Sequence, residues 1–294
     1  MSHPEIVQPP SVVVSSMLTA AGHTDVGRKR KNNEDCYALL SLGGESLPKL
    51  PQAPVGGELA EPGLLLVVSD GMGGAEAGEV ASRLTVETVV AKLRLDARGE
   101  APMGDTLLSV VEAAHEAVLQ ASERTLECRG MGCTLSMLWL RPGRAALAQV
   151  GDSRIYRWRA GQLTQLTRDQ TVAQGMVDRG EITAEQAKQA RFRGVLEQVI
   201  GGGGDKPVPQ IEEFTLERGD RFLLCSDGCH DCLKASDFTA LLGAPDFDAA
   251  KCACSAVDLA CRRSGHDNTT AVVAALDVPQ GGWRRTMARW LGGR

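Results

Sequence analysis

The feature that most constrains this chain is a series of strand pairs joined by short glycine-containing connections. Cys133 to Leu140 and Ala145 to Val150 flank Arg141-Pro142-Gly143-Arg144. Ser153 to Trp158 and Gln162 to Leu166 meet around Gly161, and Ile211 to Leu216 and Arg221 to Cys225 flank Glu217-Arg218-Gly219-Asp220. Links this short join antiparallel neighbours, so each pair predicts a hairpin. Helical patterns lie outside these pairs. Residues 63–69 read as a fully buried strand ending in Asp70-Gly71-Met72-Gly73-Gly74, and Val80, Leu84, Thr85, Thr88 and Val89 then recur at helical spacing. A second helix is predicted over 105–124, with Leu107, Val111, Ala114, Val118 and Ala121 on one face, a third over 247–264, and a last strand over 269–276. Helices set apart from runs of hairpins predict a layered α+β fold, not a doubly wound parallel sheet.

The chain has 294 residues, 43% of them apolar, enough for one large domain with a sizeable core. Residues 1–19 are polar and aperiodic and are expected to be disordered; residues 41–62, rich in glycine and proline, are expected to be a long surface loop. The net charge of −5 argues against nucleic acid as a partner, because phosphate-backbone binders carry a basic stripe. No stretch approaches the ~20 apolar residues that span a bilayer. The N-terminus lacks a basic region before its short apolar run, so no signal peptide is expected and the cytoplasm is the default. Nine cysteines in a chain of this size do not imply disulfides. Cys229-x-x-Cys232 and Cys252-x-Cys254 could be read as zinc ligands, but the paired spacing of zinc modules is missing. Packing explains them better: Cys225, Cys229 and Cys232 sit among Phe222, Leu223, Leu224 and Leu233, and Cys254 and Cys261 share a helical face with Val257 and Ala260.

Five aspartates stand at strand ends or in tight turns beside small residues: Asp35, Asp70, Asp152, Asp227 and Asp267. Three of them follow strongly apolar strands, where a carboxylate is poorly solvated and needs a cation or hydrogen-bond donors. Any one alone reads as a turn or cap residue; five together are hard to explain that way. Ligation by carboxylates and carbonyls selects hard divalent cations, Mg²⁺ or Mn²⁺, over zinc.

These residues fall in motifs that resemble those of bacterial PPM (PP2C-like) protein phosphatases. They are Thr24-Asp25-Val26-Gly27-Arg28-x-Arg30-Lys31-Asn32-Asn33-Glu34-Asp35, Asp70-Gly71-Met72-Gly73-Gly74 with Gly78-Glu79-Val80-Ala81-Ser82, and Gly130-Met131-Gly132-Cys133-Thr134. Val150-Gly151-Asp152-Ser153-Arg154, Leu166-Thr167-Arg168-Asp169, Leu224-Cys225-Ser226-Asp227-Gly228 and His266-Asp267-Asn268-Thr269-Thr270 complete the order, across residues 20–277. The resemblance implies a four-layer α/β/β/α sandwich with two central antiparallel sheets. It implies hydrolysis of phosphoserine and phosphothreonine monoesters by a water or hydroxide bridging two Mn²⁺ or Mg²⁺ ions. Asp35, Asp70 and the Gly71 carbonyl would hold one ion, and Asp70, Asp227 and Asp267 the other; Asp152 would hold a third, weaker one. Glu34 would orient water, and Arg30 would clamp the phosphate; no charge argument singles out Arg30 within Arg28-Lys29-Arg30-Lys31. The implied partners are phosphorylated proteins and a cognate Hanks-type Ser/Thr kinase, with the phosphatase acting as a monomer.

The sequence departs from the family at several points. Ala75 stands where most bacterial relatives have histidine, and Met72 where animal relatives carry a proposed acid histidine, so neither position offers a proton donor to the leaving group. Gln170, Cys133 and Gln210 are further departures. Residues 167–200 follow the family's flap, with a helix ending near Val177 and a new one capped by Thr183. Residues 278–294 carry Trp283, Met287, Trp290 and Leu291 at helical spacing with Arg284, Arg285 and Arg289 outside that stripe. This basic amphipathic tail reads either as a helix folded on its own domain or as a peripheral docking element for an anionic surface. A nucleotide-binding reading of Gly71, Gly73 and Gly74 fails because Glu76 stands where that fingerprint needs glycine. A non-catalytic binding module would be favoured by loss of Asp70, Asp227 or Asp267, and all three are present.

Overall fold

The structure, a computed structural model, describes residues 17–44, 54–72 and 77–276. In chain order its elements are β1 (Met17–Asp25), β2 (Asp35–Ser41), β3 (Val55–Glu58), β4 (Leu64–Met72), α1 (Ala77–Asp96), α2 (Met103–Arg124), β5 (Gly132–Cys133), β6 (Leu135–Arg141), β7 (Arg144–Val150), β8 (Arg154–Arg159) and β9 (Gln162–Gln165). Then follow α3 (Val172–Asp178), α4 (Ala184–Gln189), β10 (Ile200–Gly201), β11 (Gln210–Thr215), β12 (Arg221–Cys225), α5 (Asp227–His230), α6 (Ala235–Leu242), α7 (Ala249–Arg263) and β13 (Thr269–Leu276). One sheet has the order β3-β1-β13-β12-β8-β9; the other has β10-β5-β4-β6-β7-β11, with β2 also paired to β4. Every named pairing is antiparallel.

Successive strand residues face opposite sides of a sheet, and the buried side chains sort accordingly. Leu64, Leu66 and Val68 of β4 meet Phe222, Leu224, Val272 and Ala274 between the sheets. Leu65 and Val67 point the other way, onto Val89, Leu93, Leu107 and Val111 of α1 and α2. Leu223, Val273 and Ala275 point outward from the second sheet, onto Phe238, Ala253 and Val257 of α6 and α7. Because the central strands are covered on both faces, they read as unbroken apolar runs, not as alternation. The fold is thus the expected α/β/β/α sandwich.

The expected last strand matches β13, and α2 and α7 start within two residues of their expected ends. Both flap helices form where expected, and Thr183 makes a capping box with Gln186 at the start of α4. Four details differ. The pair 211–225 is not a hairpin: β11 is an edge strand on β7, whereas β12 lies between β8 and β13 in the other sheet. The reason is burial. β11 carries exposed Glu212 and Glu213, while Phe222 to Cys225 are buried, so the Glu217–Asp220 turn carries the chain from one sheet to the other. The loop over 41–62 contains a short strand, β3, paired to β1. The tail over 1–19 ends earlier than expected, because Met17, Leu18 and Thr19 pair in β1. Finally, Cys252 faces the core of the last helix, while Cys254 is exposed. The tail over 278–294 lies outside the described residues, as does Ala75.

Candidate active site

The inter-sheet layer is apolar along most of its length and turns polar at one end. Strand alternation explains where the carboxylates go. Tyr37 and Leu39 face inward on β2, and Asp35 shares their face; Leu66 and Val68 face inward on β4, and Asp70 shares theirs. The two aspartates are register partners. From the other sheet, Ser226 and Thr270 follow the inward-facing Leu224 and precede the inward-facing Val272. Both donate to Asp35 Oδ2, at 2.6 and 2.7 Å. Asp227 opens α5 immediately after Ser226, Asp267 precedes β13, and Asp152 sits in the turn between β7 and β8. All five expected carboxylates therefore lie at the same end of the sandwich, two on strands, one at the start of α5 and two in connections.

A web of small polar groups fixes the backbone around them. Thr134 donates its N–H to the Asp70 carbonyl at 2.8 Å, and its hydroxyl accepts the Asp70 N–H at 3.0 Å. Asn268 Oδ1 accepts the Glu34 N–H at 2.8 Å, while its amide nitrogen donates to the carbonyls of Val26 and Asn32, both at 2.9 Å. The Glu34 carbonyl accepts from Gly71 N–H at 3.1 Å and from Ser82 Oγ at 2.6 Å. Helix α1 presses on this turn so closely that a Cβ on Gly71 would sit 2.1 Å from the Gly78 carbonyl oxygen; glycine is required there for space. These supports were missed in the sequence, although Ser226 beside Asp227 and the Asn268-Thr269-Thr270 run carry the signal.

The carboxylates are in electrostatic conflict. Burial, with Asp227 and Asp267 nearby, pushes Asp35 up to about 7 even though two hydroxyls serve its Oδ2. Burial and the neighbouring Asp227 push Asp152 up to about 7. Asp70 is raised well above the usual carboxylate range by burial and by Asp35, Asp227 and Asp152, and Asp227 is raised by burial. The proximity of Asp70 and Asp227 adds to this conflict, raising the Asp70 carboxyl further. The outer oxygens tell the same story: Asp35 Oδ1 and Asp227 Oδ1 are buried and accept no hydrogen bond. Buried carboxylate oxygens without partners are costly unless a cation meets them. Oxygen-only donors of this kind fit a hard divalent cation. Among the described residues, no three acidic, imidazole or thiol side chains close on a common point. Contacts within the chain already engage part of this donor set: Ser226 and Thr270 hold Asp35, and Arg30 holds Asp267.

Arg30 forms a two-pronged contact with Asp267, Nε to Oδ1 and Nη2 to Oδ2, both at 2.9 Å, and its Nη1 lies 3.7 Å from Glu34 Oε2. The expected clamp and the expected water-orienting carboxylate therefore lie beside the aspartates. Glu34 is buried, 7% exposed, with its carboxyl carbon 3.0 Å from where a Cβ on Gly78 would stand. Around Asp152, His230 Nε2 lies 3.0 Å from the Asp152 carbonyl oxygen. Gln170, at the base of the flap, exchanges two hydrogen bonds of 2.9 Å with Gly151. The flap is thus tied to the turn that carries Asp152. No helix among the described residues is long and apolar enough to cross a membrane.

Comparison with known proteins agrees with this arrangement. The sequence profile described as Protein phosphatase 2C matches residues 58–260. The serine/threonine protein phosphatase PstP of Mycobacterium tuberculosis is 36% identical over 265 residues, which are 89% of this chain and 45% of that protein. The chain thus spans just under half the length of that relative. The solved structure of the Mycobacterium tuberculosis phosphatase superposes with a TM-score of 0.74 at 34% identity, covering 89% of this chain and 100% of that one. A PstP catalytic domain in complex with two manganese ions gives a TM-score of 0.70 at 33% identity, covering 89% of this chain and 99% of that one. With sandwich, acidic end and sequence profile in agreement, the chain belongs to the protein phosphatase 2C family.

Proposed function

We propose that this chain is a metal-dependent phosphoprotein phosphatase that hydrolyses phosphoserine and phosphothreonine monoesters. The observation that carries the reading is the pair of buried, unpartnered oxygens, Asp35 Oδ1 and Asp227 Oδ1, within a crowd of carboxylates whose protons are held abnormally tightly. Asp35, Asp70, the Gly71 carbonyl, Asp227 and Asp267 would hold two Mn²⁺ or Mg²⁺ ions, with Asp152 available to a third. When bound, such a pair supplies Lewis acidity that activates water near neutral pH and offsets charge on the phosphoryl oxygens. The manganese held by the related PstP domain supports this choice of metal.

The chain's own residues do the rest. Arg30 presents a guanidinium fork, and a phosphoryl group takes the same two-pronged geometry as the Asp267 carboxylate that occupies the fork here. Both partners are about half exposed, so the fork can exchange one anion for another at little cost. Glu34, held by Asn268 and next to Gly71, would accept a hydrogen bond from the attacking water and orient it. Phosphoryl transfer demands mainly positioning and charge neutralisation, which these groups provide. The physiological setting we propose is a cytoplasmic monomer opposing a Ser/Thr kinase, with the basic tail over 278–294 docking at an anionic surface. The test is phosphate release from a phosphothreonine peptide. Mn²⁺ should drive turnover and EDTA should abolish it; full activity after exhaustive chelation would contradict the reading.

A further inference from the structure

The pairing of β8 with β12 stops just short of the acidic end. Cys225 closes β12 and pairs with Arg154, which opens β8. In the same register, Asp227 and Asp152 stand at matched positions two residues beyond that last pair. The ladder ends there, because Asp227 already opens α5. The turn that carries Asp152 is held at both flanks. Gln170 exchanges its two bonds with Gly151, Ser136 Oγ donates to the Ser153 carbonyl at 2.8 Å, and the Thr134 and Ser153 hydroxyls are 2.6 Å apart. Asp152 itself is reached from α5. His230, three residues after Asp227 and buried, sets its Nε2 3.0 Å from the Asp152 carbonyl oxygen. A carbonyl only accepts, so this nitrogen carries the proton. The other ring nitrogen, Nδ1, lies 3.5 Å from Asp231 Oδ1 at the end of the same helix. Among the described residues, no other hydrogen bond meets the Asp152 carbonyl.

We infer that His230 is a positioning residue for a third cation: by holding the Asp152 carbonyl from α5, it keeps the carboxylates of Asp152 and Asp227 side by side for one Mn²⁺ or Mg²⁺ ion to share. The inference rests on the phosphatase reading and extends it, since that reading assigns no residue to hold Asp152 against Asp227. Two carboxylates on separate connections repel each other, and nothing in the ladder beyond Cys225 and Arg154 opposes their separation. The His230 bond opposes it through the backbone and engages neither carboxylate. Asp227 thus keeps a buried oxygen that no donor meets. Asp152 is buried too, with Asp227 first among the charged groups acting on its carboxyl. Oxygen donors left in this state suit a hard divalent cation. Two carboxylates are a smaller donor set than the core pair of ions has, so this ion should bind more weakly than those. The role belongs to the N–H and not to the bulk of the ring: a phenyl group fills similar space but offers no donor, whereas a glutamine amide brings a donor to about the place of Nε2.

The test titrates the metal-free full chain with Mn²⁺ alone and reads the unbound ion by electron paramagnetic resonance. The wild type should bind two tighter ions and a weaker third, and Asp152→Ala, the reference that removes a ligand, should lose the third. His230→Phe should keep the two tighter ions and weaken the third by about tenfold or more, the usual range for a residue that orients a metal ligand. His230→Asn, whose amide stops short of the carbonyl, should behave like His230→Phe. His230→Gln should restore the third ion to within about threefold of the wild type. Wild-type affinity for the third ion in His230→Phe overturns the inference. So does a His230→Gln as weak as His230→Phe, because packing and not the donor would then matter, and so does loss of all ions in His230→Phe, because the residue would then support the whole site. Two tight ions and no third in the wild type overturn it while leaving the phosphatase reading intact. No bound ion at all in the wild type overturns both.

Discussion

Two aspartates stand at opposite ends of β12, and the molecule treats them in opposite ways. Asp220 precedes the strand and is fully buried. Arg159 grips it with two hydrogen bonds of 2.6 Å, one to each oxygen, and the Glu217 N–H adds a third at 2.9 Å. Asp227 follows the strand. Its Oδ1 is buried without a hydrogen-bond partner, and burial holds its carboxyl above the usual range, close to the carboxylates of Asp70 and Asp267. Asp220 is supplied with donors for both oxygens, whereas Asp227 keeps a buried oxygen that no donor meets. The contrast locates the site more sharply than burial does, since Asp220 is the more buried of the two.

The largest expected effect tests the unmatched end. Asp70→Asn and Asp227→Asn should each lower Mn²⁺-dependent peptide turnover by about a thousandfold or more, because each removes a charge that the cations need. The same variants should melt no lower than the wild type in EDTA, since an amide relieves carboxylate repulsion. A large loss of metal-free stability would mean that these aspartates hold the fold together. The matched end should behave in reverse. Asp220→Ala strands the partly buried Arg159 and should cost about 2–4 kcal/mol in urea unfolding, with turnover per folded molecule retained.

A third expectation concerns pH. Asp35 and Asp152 hold their protons to about 7 in the folded chain against 3.8 as the ordinary value. Between those limits the folded state binds more protons than the unfolded one, so stability falls as pH rises. The contribution is fully present below about pH 4 and gone above about pH 7. In EDTA, the melting temperature should therefore decline from pH 5 to pH 8, and a flat or rising profile would show that the carboxylates are already matched. The smallest effect belongs to Arg30. Arg30→Ala should raise KM for the phosphopeptide about tenfold, leaving the melting temperature within a degree or two. Unchanged kinetics would assign Arg30 to a solvated basic face together with Arg28, Lys29 and Lys31.

The same contrast shows what could be read from the sequence. Strands and helices with strong periodicity were legible, as were the aspartates, because each stands where an apolar run stops. The pair over 211–225 misled because the turn chemistry of Glu217-Arg218-Gly219-Asp220 suits a hairpin. What separates its strands is that one is a polar edge and the other is buried on both faces, a difference that local turn signals do not carry. β3 was hidden in a glycine- and proline-rich stretch because its pairing with β1 supplies what propensity lacks. The matched state of Asp220 was invisible, since its partner Arg159 is 61 residues away in the chain. The unmatched state of Asp35 and Asp227 was equally so: an aspartate reads the same in sequence whether donors surround it or other carboxylates do.

The central claim is that the unmatched oxygens await divalent cations. Calorimetric titration of the metal-free chain with Mn²⁺ at pH 7.5 tests it without reference to any substrate. Saturable binding of about two ions is expected, with proton release because Asp35, Asp70 and Asp227 hold protons above the usual carboxylate range, and with loss of at least one ion in Asp227→Asn. Absence of binding in the wild type, or identical binding by Asp227→Asn, would contradict the account.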